Sequence, residues 1–134
     1  MNVGDSSAVL QLIGRFVIIP LRDPVYQEVI VNLSNKLQDH LFHEGAGGVV
    51  VDMTGVEVLD EQDFGYLRQM VQSIEVMGAP VVLVGIRPGV AAGLTMLGVD
   101  ESWVRATRTV ERAMGLLKDA DQIHDTNPFA GRHS

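Results

Sequence analysis

Apolar positions change their spacing several times along the chain, and each change marks an element. Val9-Leu10-Gln11-Leu12-Ile13 and Phe16-Val17-Ile18-Ile19 are short β-rich runs joined by Gly14-Arg15, the spacing of a hairpin. Pro20 has no N–H to donate and is expected to end the pairing of the second strand. Asp23-Pro24 has the form of a helix start, with Asp as cap and Pro at the first helical position. Val25, Val29, Leu33, Leu37 and Leu41 then recur every four residues with Ile30 beside them, predicting a helix over about 24–43. The glycine-rich stretch 45–48 closes it.

The run 48–53 is almost wholly apolar, as in a strand covered on both faces. A second helix is predicted over about 61–77. Asp60 is its cap and Asp63 has the capping-box spacing. Phe64, Leu67, Val71 and Ile74 form its inner stripe, and Gly78 and Pro80 end it. Val81–Ile86 is another apolar strand. Strand, helix, strand makes a right-handed βαβ unit with parallel strands. Pro88 opens a third helix in which Val90, Ala91, Leu94 and Leu97 are expected to face inward, with Gly98 at its end. Trp103–Ala106 reads as a short edge strand. Thr107 or Thr109 would cap a last helix carrying Val110, Ala113, Met114 and Leu117. The expected fold class is α/β: a small mixed, mostly parallel sheet of four or five strands with about four helices. The compact domain is expected over 1–118, with a flexible polar tail over 119–134.

Composition narrows the function. The length of 134 residues suits one domain, and 46% hydrophobic residues can form its core. No apolar run is long enough to cross a membrane, and Met1-Asn2-Val3-Gly4-Asp5 lacks the form of an export signal. With no cysteine, disulfides and thiolate chemistry are excluded, and the expected location is cytoplasmic. A net charge of −7, with two lysines and eight arginines, opposes nucleic-acid binding.

The segment Val50-Val51-Asp52-Met53-Thr54-Gly55-Val56-Glu57-Val58-Leu59-Asp60 resembles the core of a STAS domain, the sulfate-transporter and anti-sigma-factor-antagonist family. The run Gly78-Ala79-Pro80-Val81-Val82-Leu83-Val84-Gly85-Ile86-Arg87-Pro88-Gly89-Val90-Ala91, with Leu97-Gly98-Val99-Asp100 after it, is similar to the stressosome branch, the RsbS and RsbR scaffold type. The resemblance covers about 9–117. It implies a STAS fold and a role in partner switching, with a serine/threonine switch kinase of anti-sigma type and RsbR-like or RsbS-like STAS proteins as partners. It also implies a serine or threonine phosphoacceptor after the aspartate that starts the second helix. Here Asp60 matches that aspartate, and Glu61 stands in the phosphoacceptor position.

Electrostatics gives Glu61 a meaning. The first helical turn presents free N–H groups and the positive end of the dipole, which favour an anion. Glu61 supplies a fixed single charge where a phosphate would bring nearly two. Glu61, Gly65, Arg68 and Gln72 form a stripe away from Phe64 and Leu67, and Gly65 leaves room for a partner's backbone. Gly65 also costs the helix about 1 kcal/mol against Ala. The simpler reading is a well-capped acidic helix start. With the resemblance, Asp60, Glu61, Gly65, Arg68 and Thr54 become the candidate partner-binding surface. Thr54 lies near the strand end and is not assigned the phosphoacceptor role.

Other constellations carry less. Arg87 falls at the carboxyl edge of the sheet, where open α/β folds bind ligands, and is expected beside the loop 54–60. Its simpler reading is a structural ion pair. His40 and His43 have metal-ligand spacing, but a solvated helix end explains them. His124 and His133 fall in the expected tail. Asp52 ends a strand as receiver aspartates do, without the acidic pair and lysine such sites need. Gly85, Gly89 and Gly93 match no phosphate loop and are expected in helix packing. Ser73 and Ser102 lack an elbow motif and a partner base. Met53, Met70, Met77, Met96 and Met114 read as core filling. The flank of Tyr66, Met70 and Met77 is a candidate for self-association into a homo-oligomer.

The reading that follows is a regulatory STAS protein, not an enzyme, with no cofactor and no metal. The alternative is a STAS module binding a small ligand or nucleotide at the sheet edge near Asp60 and Arg87.

Overall fold

A computed structural model describes residues 10–126, with side chains through residue 120. Strand β1 (Gln11–Ile13) pairs antiparallel with β2 (Phe16–Arg22) across the Gly14-Arg15 turn. The chain continues through α1 (Gln27–His43), β3 (Gly48–Gly55), α2 (Glu61–Val76), β4 (Val81–Val84), α3 (Pro88–Leu97), β5 (Ala106–Thr107) and α4 (Val110–Thr126). The sheet order is β1-β2-β3-β4-β5, and β2 through β5 are parallel. The strand order follows the chain order because each crossover helix returns the chain to the neighbouring position. The α/β class expected from the apolar pattern is the fold observed.

Alternation along the central strands divides the core between two faces. Val49, Val51 and Met53 of β3 pack with α1, α2 and α3, through residues such as Leu37, Leu67, Ile74 and Leu94. Val50 of β3 points the other way and packs with Phe16, Val82, Ala113 and Leu117 under α4. Val49, Val50 and Val51 have no exposed surface. A strand covered on both faces loses the polar–apolar alternation, which is why β3 reads as one apolar run. Gly48 lies close under α4: a Cβ there would fall 2.7 Å from a methyl of Leu117, which would have to shift.

Several expectations need correction. Pro20 does not end the pairing of β2. The ladder shifts register between Pro20 and Arg22 and resumes at Arg22 opposite Gly55, so the missing N–H is absorbed by a bulge. The first helix starts at Gln27 with Tyr26 as its cap residue, not at Pro24. Asp23 is engaged elsewhere: its carboxylate accepts the Glu57 N–H at 2.7 Å. Ala91 and Leu97 of α3 are exposed, Leu97 by 56%, so only Val90 and Leu94 reach the core. A ten-residue helix packed over a sheet edge has room for one narrow apolar stripe. Gly89 and Gly93 touch nothing with which a Cβ would interfere, so they are not packing contacts. The edge strand is Ala106–Thr107; Trp103 precedes it and packs its ring 4.9 Å from that of Phe64. Among the methionines, Met53 and Met70 fill the core, but Met96 is 88% exposed. Met70 is buried and therefore is not part of an exposed interface flank. Finally, α4 extends to Thr126, so helix continues past Asp119, where a loose tail was expected. Residues 127–134 of that tail, with His133, lie outside the described residues, as does Val9 at the start of the first run.

Candidate functional site

The site is built where β3 and β4 end. At the end of β3, the Asp52 carboxylate accepts both the Thr54 N–H at 2.9 Å and the Thr54 hydroxyl at 2.7 Å. This local turn leaves the Thr54 carbonyl free to accept from Arg87 Nε at 2.9 Å. Arg87 also lies 3.8 Å from Glu57 as an exposed ion pair. On the far side of the loop, Asp23 holds the Glu57 N–H. The loop 54–60 is therefore tied at its start and its middle, at Thr54 and Glu57 by Arg87 after β4 and at Glu57 by Asp23 after β2. The structure brings Arg87 and this loop together, and the arginine's geometry there is that of a brace. Its exposed ion pair adds little energy, whereas the bond to a carbonyl fixes direction.

Gly85 makes that approach possible. Its φ is +70°, and a Cβ there would run into the Thr54 methyl group. Both features require glycine: the left-handed backbone and the close contact.

The loop delivers the chain into α2. Asp60 is the N-cap, and its carboxylate accepts the Asp63 N–H at 2.8 Å. The Asp63 carboxyl is held above its ordinary value, first by burial and next by the Asp60 charge, while the Asp60 backbone N–H opposes the shift. A raised folded-state value means that this group's penalty is absent below the ordinary carboxylate range. The penalty is complete above the raised value. Asp60→Ala is expected to cost about 1 kcal/mol, read as a lower urea midpoint with unchanged slope.

Glu61 is the first residue of α2, exposed, with no ion pair among the described residues. Gly65 follows one turn later, and nothing lies within 4 Å of where its Cβ would be. Arg68, a further turn on, lies 3.5 Å from Asp100 in the segment after α3. Asp100 in turn accepts the Ser102 hydroxyl and N–H at 2.6 and 2.9 Å, and these bonds hold its carboxyl below the usual range. Glu61, Gly65 and Arg68 thus share one open face of α2, ending at Asp100. Thr54 and Arg87 form the separate brace behind the loop.

Several participants leave no signal in the sequence. Asp23 has the sequence form of a helix cap, and Glu57 and Asp100 carry no local signal, because their partners lie far along the chain. His43 ends α1 with its Nδ1 2.9 Å from the Asp39 carbonyl, and no cluster of three metal-ligating side chains occurs among the described residues. No described helix is long and apolar enough to cross a membrane.

Comparison with known proteins agrees with this architecture. The chain is 25% identical over 109 residues to the RsbT co-antagonist protein RsbRA of Bacillus subtilis, covering 81% of this chain and 40% of that protein. The chain thus spans well under half the length of that relative. A serine-to-glutamate variant of RsbS from Moorella thermoacetica has a TM-score of 0.71 at 22% identity, covering 83% of this chain and 96% of that one. A chain from the architecture of the stressosome, a signal integration and transduction hub, gives 0.72 at 21% identity, covering 84% and 97%. Those two likenesses show the shared fold. The family model of the STAS domain matches residues 7–113, most of the chain. This chain belongs to the STAS domain family.

Proposed function

We propose that this chain is a non-catalytic regulatory STAS protein of partner-switching signalling. It co-assembles with RsbR-like or RsbS-like STAS proteins or binds a serine/threonine switch kinase, through the α2 face of Asp60, Glu61, Gly65 and Arg68. Glu61 acts there as a fixed stand-in for a phosphorylated side chain.

One observation carries the reading: an exposed carboxylate on the first turn of α2, with no ion pair among the described residues, beside a glycine with open space over it. The helix N-terminus stabilises that charge without neutralising it, so a docking partner meets it directly. Gly65 lets the partner's backbone come close, and Arg68 at the far end offers the opposite sign. The relationship to RsbRA and the likeness to RsbS and stressosome chains support co-assembly as the form of binding.

The test is size-exclusion chromatography with light scattering, mixing the chain with an RsbR-like and an RsbS-like STAS protein. Co-elution in a defined ratio is the expected result. Separate elution at tens of micromolar of each protein would remove the scaffold half of the proposal.

A further inference from the structure

The crossover helices α1 and α2 pack side by side on one face of the sheet and leave a groove between them. Its wide end lies at the two helix N-termini, a cleft of about 530 Å³ with Tyr26, Val58 and Tyr66 in its walls. A smaller hollow of about 130 Å³ lies further along, between Val31 and Ser34 of α1 and Gln69 and Ser73 of α2. Tyr66 lines both, so the two hollows are neighbours along one groove. Helical spacing explains the walls. Gln27, Val31 and Ser34 recur at i, i+4 and i+7 on α1, and Gln62, Tyr66, Gln69 and Ser73 at i, i+4, i+7 and i+11 on α2. This α2 stripe runs beside that of Glu61, Gly65 and Arg68 and shares no residue with it.

Burial and charge decide what such a groove can hold. Its floor is apolar, with Ile30 and Met70 buried beneath the smaller hollow. Its rim leaves apolar groups in solvent: Tyr26 is 58% exposed, Val58 73%, and Val31 is exposed between them and the far end. Exposed apolar groups gathered at a concave surface mark a protein-binding site. The wide end is acidic, lined by Asp23, Glu28, Asp60 and Asp63, and no lysine or arginine lines either hollow. None of the four carboxylates pairs with a cation among the described residues. Asp23 and Asp60 each accept one backbone N–H, which leaves lone pairs for a second donor. Burial and the Asp60 charge hold the Asp63 carboxyl above its ordinary value, so a cation arriving there relieves a cost already present.

We infer that the α1–α2 groove takes an amphipathic helix of a partner protein, apolar along one face and carrying arginines in its last turn. The helix docks antiparallel to α1 and α2, so that its last turn reaches the acidic end. Two effects set that direction. Its own dipole favours cations at its C-terminus, and that C-terminus faces the positive N-termini of α1 and α2. Guanidiniums suit this end because they pair with carboxylates through two N–H groups and stack on tyrosine rings. The length fits as well. From Gln27 to Asn35 the groove runs about 12 Å along α1, and apolar residues at i, i+4 and i+7 of a docked helix span about 10 Å. Membrane surfaces and nucleic acids present negative charge, which the acidic end repels. The inference goes beyond the role of Glu61 and does not rest on it, because it uses a different stripe of α2.

The experiment is fluorescence anisotropy of the full chain with two labelled synthetic peptides of one composition, each about four helical turns long. Both carry leucines at i, i+4 and i+7 among alanines and glutamines. One has its arginines in the last turn, the other in the first. The full chain is expected to bind the first about tenfold more tightly than the second, as the loss of a charge-assisted pair implies. Asp63→Asn should weaken the first peptide by about the same factor. That variant keeps the backbone N–H that Asp60 caps, so the helix start stays folded. Val31→Lys brings a cation to the rim at an exposed helical position that tolerates lysine, and should also weaken binding about tenfold. Glu111→Gln removes the same charge on the other side of the sheet and should bind as wild type does. Glu61→Ser should also bind as wild type does, which separates this result from the role of Glu61. The proposal is overturned if neither peptide binds, if the two bind alike, or if Glu111→Gln weakens binding as much as Asp63→Asn. It is also overturned if light scattering finds the free chain a dimer that Val31→Lys makes a monomer, because a second copy then fills the groove. Tighter peptide binding after ending the chain at residue 126 would overturn it too, because the chain's own last residues then occupy the groove.

Discussion

Gly85→Ala is expected to destabilise the domain by about 3 kcal/mol, the sum of two costs. A non-glycine residue in the left-handed region costs about 1–2 kcal/mol. Forcing a methyl into a filled contact costs about 1–3 kcal/mol more. The backbone of residue 85 has φ +70°, and the methyl would meet the Thr54 methyl. The two costs are separable. Thr54→Ser removes the obstructing methyl but keeps the hydroxyl that bonds Asp52. In the double variant the steric part should return and the backbone part remain, leaving a deficit of about 1–2 kcal/mol. Guanidinium unfolding of the four proteins measures this. A Gly85→Ala loss below 1 kcal/mol would mean that the β3 and β4 ends are not held as described, and that Arg87 is not a rigid brace on Thr54.

Gly65→Leu is expected to move stability and binding in opposite directions. Gly65 is in the interior of α2 and costs it about 1 kcal/mol relative to a good helix former. Nothing surrounds its missing Cβ, so a larger side chain enters solvent without strain. The variant should therefore unfold at higher urea by an amount equal to roughly 1 kcal/mol. If partners dock on this face, the same side chain stands where their backbone must pass. Binding should weaken about thirtyfold, or about 2 kcal/mol, as for an overpacked contact. A variant that is more stable and binds equally well would show that the open space over Gly65 has no partner.

Much of the fold was legible because its signals are local. The hairpin turn at Gly14, the Asp60 cap with Asp63, the Gly98 end of α3 and the apolar β3 and β4 each need only neighbouring residues. The Phe64, Leu67, Val71 and Ile74 stripe followed from helical spacing alone. What escaped was decided at long range. Asp23 has the sequence form of a helix cap, but Glu57, far along the chain, offers its N–H, and tertiary pairing outweighs the local signal. Pro20 obeys its lack of a donor, but one bulge lets the strand continue. Leu97 has the right spacing for the core, but α3 lies over a sheet edge with nothing above that residue. The α4 extension was hidden because the sequence after Asp119 is mostly polar and carries no apolar stripe to mark helical spacing. At the site, Glu61 and Gly65 were visible as an exposed stripe because helical spacing fixes their direction. The Arg87 brace was half visible, since its place at the strand end could be read but its partners could not.

If the charge of Glu61 decides which partner binds, one titration will show it. Biolayer interferometry would measure a serine/threonine switch kinase of anti-sigma type against the wild-type chain and Glu61→Ser. The wild type is expected to bind the kinase weakly and Glu61→Ser to bind it ten- to a hundredfold more tightly, a range typical of a coupling energy between two states. Equal affinities for the two proteins would contradict it, and the charge on the first turn of α2 would then be a helix-stabilising feature alone.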